Sequence, residues 1–90
     1  MSNMIFHKDV VRHAIVVIES GWVVIGQVKE YEDRIFIDDA SVIRSWGTKV
    51  GLGEIALRGP TPETILDPCG QVECYKKAVI MQIPCVYSQQ

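Results

Sequence analysis

"HAIVVIESGWVVIGQVKE", residues 13–30, decides the fold. Its first seven residues are rich in β-branched side chains and apolar at successive positions, the pattern of a strand buried on both faces. Ser20-Gly21 interrupts the run and a second strand pattern resumes at Trp22, which predicts a tight hairpin at the centre of a sheet. Gly26 falls inside the second strand and marks a bulge or a bend. Beyond it Gln27, Val28 and Lys29 alternate polar and apolar, so this half has one wet face.

Outward from the hairpin, "YEDR" (31–34) supplies a turn and "RIFID" (34–38) a strand with Ile35 and Ile37 inward. "ASVIRSW" (40–46) reads as a further strand. Asp38 and Asp39 between them make a turn through their side-chain acceptors, a simpler account than a carboxylate pair for acid–base chemistry. "GLGEIALRG" (51–59) is the helix: Leu52, Ile55 and Ala56 share one face, and Gly59-Pro60 forms the stop. "PTPETILDPCGQ" (60–71) has three prolines, which bars it from the centre of a sheet, and is expected as an ordered excursion. "VECYKKAVIMQIPCV" (72–86) holds the last strand, ending at Pro84. The expected fold is mainly β, a small curved antiparallel sheet or SH3-like barrel of about five strands with one short helix before the last. Residues 1–90 form one domain, with 1–12 as a loosely ordered N-terminal segment.

Hydrophobic residues make up 48% of this 90-residue chain, and mean hydropathy is +0.14. So small a core cannot hide that much apolar surface, so a homo-oligomer is expected. The net charge of −2 comes without any block of like charges, which disfavours general nucleic-acid binding. Lys76 and Lys77, or Arg44, Lys49 and Arg58, are where a local basic patch would gather. The longest apolar run, Ala14 to Ile18, stops at Glu19, far short of the ~20 residues a bilayer requires. With no signal-peptide pattern at the N-terminus, no membrane partner and a cytoplasmic location are expected.

Chemistry is mostly excluded. Cys69, Cys74 and Cys85 lack the C-x2-C spacing of a zinc site and read as small buried or semi-buried thiols, with a Cys69–Cys74 disulfide as the alternative. His7 and His13 form no metal-ligand or catalytic spacing. No metal, cofactor or catalytic residue is therefore expected. "WGTKVGLGE" (46–54) holds the parts of a phosphate loop in the wrong order for either a Walker or a dinucleotide motif. Glycines that admit a ligand to the backbone, amides opening a helix and nearby cations still offer an anion-binding geometry. The candidate ligand-binding residues are Arg44, Trp46, Thr48, Lys49, Gly51 and Gly53, with Trp46 able to stack on a base. The structural alternative is a corner in which Trp46 packs and the glycines turn the chain. Trp22, beside Ser20-Gly21, is either a partner-binding anchor or the cap of a barrel end.

Four segments in order, "GWVVIG" (21–26), "DDASVIRSWG" (38–47), "LGEIALRG" (52–59) and the closing "AVIMQIPC" (78–85), resemble a family of short phage and prophage proteins of unknown function. The resemblance spans about residues 13 to 86; Trp22 and the segment "DPCGQVEC" (67–74) depart from the family pattern. It implies a phage accessory gene acting in the host cytoplasm. The function expected on this basis is a non-enzymatic, homo-oligomeric binding protein that sequesters a small nucleotide-like ligand or inhibits a host defence or regulatory protein. A structural or assembly component of a virion is the alternative, and a small enzyme the third.

Overall fold

The computed structural model of the chain describes residues 12–49 and 51–87. His7 and the expected loose segment up to residue 11 lie outside the described residues. Arg12 already belongs to the first strand, β1 (Arg12–Ile18), which pairs antiparallel with β2 (Trp22–Tyr31). The loop between them is Glu19–Gly21, one residue longer than the two-residue turn expected, and Ser20 adopts a positive φ of 73° within it. β1 is central, as its sequence requires: Ala14, Ile15 and Val16 are all fully buried.

β3 (Arg34–Ser45) runs unbroken where two strands joined by an Asp38–Asp39 turn were expected. The two aspartates form a bulge instead: the register with β2 shifts between Ile25 and Gln27, and Asp39 takes a φ of 51°. A bulge absorbs one extra residue without ending the ladder, so turn-forming side chains need not break a strand. Gly26 sits opposite. A β-carbon there would lie 2.7 Å from the Asp38 carbonyl oxygen and from a methyl of Ile37. The bulge or bend expected at this glycine corresponds to the register shift, whose extra residue is carried by β3 rather than β2.

The helix α1 (Leu52–Arg58) buries Ile55 and Ala56 and closes on Gly59, whose amide donates to the Ile55 carbonyl. β4 (Ile65–Tyr75) then pairs with β3. It includes Pro68 and Cys69, part of the stretch expected as an excursion. As an edge strand it tolerates the missing amide of a proline that a central strand could not. The expected final strand is therefore two, since Lys76–Ala78 form a 3-10 turn between β4 and β5 (Val79–Pro84).

The strand order is β4-β3-β2-β1-β5, one unclosed antiparallel sheet with α1 inserted ahead of the final strands. Laid flat, five strands would hold β4 and β5 about 19 Å apart, four spacings of ~4.8 Å. The link from Tyr75 to Val79 reaches at most ~14 Å, so the sheet must curl. All five strands feed one core, built on Ala14, Val16, Val24, Val28, Ile35, Ile37 and Ala40 with Val72 and Val79 against it. On the opposite face α1 sets Ile55 and Ala56 over Ile15, Ile25 and Ile43.

Candidate functional site

The loop from Trp46 to Gly51 joins the far end of β3 to α1 and is pinned at almost every step. Thr64 donates its hydroxyl to the Trp46 carbonyl at 2.7 Å, and Thr61 donates to the Gly47 carbonyl at 2.8 Å. Gly47 has a φ of 65°, and a β-carbon on it would stand 2.3 Å from the Glu63 carbonyl carbon, so no side chain fits. The Thr48 hydroxyl donates to the Gly51 carbonyl at 2.7 Å. Arg44 reaches across to β4, donating from Nε and Nη2 to the two carboxylate oxygens of Asp67 at 2.7 and 3.3 Å. That bidentate pair raises the pKa of the guanidinium and holds the Asp67 carboxyl below its usual range.

The proposed cradle is thus brought together but largely occupied with itself. Arg44 and Thr48 bond within the chain, while Lys49 and Trp46 face solvent, the indole 45% exposed. Trp46 is not the core residue its place at a strand end suggests. Its ring lies beside Gly51, 3.7 Å from where a β-carbon would stand. Gly51 and Gly53 open a helix of seven residues whose first turn already carries the carboxylate of Glu54. Nothing stands within 4 Å of a β-carbon placed on Gly53.

His13 and Cys85 meet through the backbone, where the Cys85 amide donates to the His13 carbonyl at 2.9 Å. The Gln27 amide donates to His13 Nδ1 at 3.2 Å, leaving the ring proton on Nε2, 3.0 Å from the Tyr87 hydroxyl. Burial lowers the His13 pKa and pushes the Cys85 thiol up to about 11. A thiol held protonated by burial, with the imidazole bonded to Gln27 and Tyr87 instead, is not an activated nucleophile. Cys69, Cys74 and Cys85 are all free thiols, and Cys69 is exposed rather than semi-buried, its thiol donating to the Ala40 carbonyl. Among the described residues no three metal-ligating side chains stand together.

A concavity lies elsewhere, at the opposite end of β3. Pairing of Arg34 with Tyr75 brings the β2–β3 turn against the link after β4, and the Lys76 amide donates to the Asp33 carbonyl at 2.8 Å. Asp33, Tyr75, Lys76 and Lys77 border a cavity of about 600 Å3. A smaller one, about 130 Å3, lies among Arg34, Glu73, Cys74 and Tyr75, so Tyr75 borders both. Arg34 pairs with Glu73 and lies 5.2 Å from the Tyr75 ring centre. Lys76 makes a long ion pair with Glu30 at 3.4 Å. Sequence reading places Lys76 and Lys77 in a possible basic patch, yet it gives no reason to join them to "YEDR". Only the β3–β4 pairing does that.

A third region is apolar. Trp22, Ile80 and Met81 are each more than half exposed. Trp22 pairs with Ile18 and Met81 with Val17, so both lie near one end of β1 but, as successive positions of a strand alternate, on opposite faces of the sheet. No helix among the described residues is long and apolar enough to cross a membrane. Comparison with protein-family models, curated proteins and solved structures finds no match for this chain.

Proposed function

We propose that this chain is a non-enzymatic, phage-type accessory binding protein that assembles as a homo-oligomer in the host cytoplasm. It acts by occupying a target there, either a host defence or regulatory protein or a nucleotide-like signal. The observation that carries this reading is the exposure of Trp22 on β2 and of Ile80 and Met81 on β5, the two strands that flank β1. Tryptophan is the residue most enriched at protein interfaces, and side chains this large leave the surface when copies or partners associate. The Cys85 thiol, kept protonated by burial with a pKa of about 11, is a poor nucleophile, which supports binding over catalysis.

Light scattering on the purified chain tests the assembly. The expected mass is a multiple of 10.1 kDa, with Trp22→Ser shifting the distribution towards single copies. A single-copy particle at every concentration, with Trp22 open to iodide quenching, would refute self-association. Pull-down from host cells carried out with both forms then separates a protein target from a small-molecule one. Stable association confined to other phage proteins would instead favour a virion component.

A further inference from the structure

We infer that the cavity bordered by Asp33, Tyr75, Lys76 and Lys77 binds a nucleoside phosphate, with the base against Tyr75 and the phosphate on the two lysines. This rests on the reading of the chain as a binding protein and gives the nucleotide-like ligand a place different from the glycine loop. Three observations point to this ligand. The volume, about 600 Å3, falls within the range of small-molecule sites and above what a lone phosphate fills. Tyr75 is 49% exposed, and the guanidinium of Arg34 stacks on it from the side of the smaller cavity. A cation thus lies over the ring of a half-exposed tyrosine that borders the larger cavity, an arrangement suited to a stacking platform.

The charges complete the match. Lys77 makes no ion pair among the described residues, and Lys76 is held only by the long contact to Glu30. Two consecutive lysines bordering one cavity with so little internal compensation favour an anion. The Asp33 carboxylate likewise makes no hydrogen bond or ion pair among the described residues. In the same cavity it offers an acceptor for the N–H donors of a base or for sugar hydroxyls. An aromatic face, paired cations and one acceptor within a single small cavity describe a nucleoside phosphate better than an acidic peptide, which needs an extended groove.

Titration calorimetry on the full chain tests the assignment with adenosine, guanosine, cytidine and uridine mono- and diphosphates, inorganic phosphate, the free nucleosides and a short single-stranded oligonucleotide. At least one nucleotide should bind more tightly than either phosphate or its nucleoside alone. Lys77→Gln should weaken it by about tenfold, and Tyr75→Ser similarly, with Tyr75→Phe restoring affinity and circular dichroism unchanged throughout. Tighter binding of the oligonucleotide would identify a strand, rather than a free nucleotide, as the source of the same chemistry. Failure of every nucleotide to bind, equal binding of phosphate alone, or loss on Lys49→Gln but not Lys77→Gln would each overturn the assignment. Self-association and capture of a protein target would survive such a failure, so the proposed function and this site fall separately.

Discussion

Replacing Gly26 by alanine and, separately, Gly53 by alanine should move stability in opposite directions. At Gly26 the new methyl would stand 2.7 Å from the Asp38 carbonyl oxygen and 3.1 Å from the Ala40 backbone. Neither neighbour is the free end of a flexible side chain, so the bulge must shift to admit it. Overpacking of this kind costs about 1–3 kcal/mol. For a domain of this size each kcal/mol lowers Tm by about 4–8 °C, so a fall of roughly 8–16 °C is expected near the middle of that range. At Gly53 a β-carbon meets nothing within 4 Å, and the residue lies within α1. Alanine there gains helix propensity and a less disordered unfolded chain, about 0.5–1 kcal/mol in favour of folding. Thermal melts followed by circular dichroism read both changes on one scale. A Gly26→Ala protein melting with the parent would mean that β2 and β3 do not approach at the bulge as described. A destabilised Gly53→Ala protein would mean that the glycine serves the fold in a way its surroundings do not show.

Ile55→Ala should cost about 2–5 kcal/mol, because the side chain is fully buried between α1 and the sheet; unchanged urea midpoints would show that the helix is not docked there. The Asp38 carboxyl is held below its usual range by hydrogen bonds from Lys29 and then Gln71. Its contribution to stability is therefore complete above the unfolded pKa, about 3.9, and is lost as pH falls through the lower folded value. Asp38→Asn should narrow the Tm difference from the parent between pH 5 and pH 2, and a difference constant across that range would exclude the linkage. A thiol reagent at pH 8 should label exposed Cys69 first and Cys85 last, the latter protonated with its pKa near 11; equal rates at the two positions would contradict this order.

Periodicity carries far where one physical cause acts alone. Ala14 to Val16 are buried because β1 is covered on both faces, Ala14 and Val16 by the main core and Ile15 by the cluster under α1, and the run of β-branched residues reports that directly. The spacing of Leu52, Ile55 and Ala56 likewise reports a single docked helix face. Where the sequence misleads, two local rules compete. Asp38-Asp39 favours a turn, but pairing of the flanking residues with β2 is retained through a bulge. Pro68 argues against a strand, yet only against a central one. The candidate sites divide the same way. Glycines, lysine and tryptophan adjacent in sequence at 46–53 are conspicuous, whereas the groove joins Asp33 to Lys77 through a strand pairing that no local pattern encodes.

The placement of β1 has a kinetic consequence. One of its two neighbours, β5, follows far along the chain: Ala14 pairs with Pro84, about 70 residues later. Until that pairing forms, an apolar ribbon without charge from Ala14 to Ile18 has an unsatisfied flank. Long-range closure of this kind folds slowly and leaves nascent chains prone to mispairing. Expression yield should therefore depend on synthesis rate and on holding chaperones more than equilibrium melts would suggest.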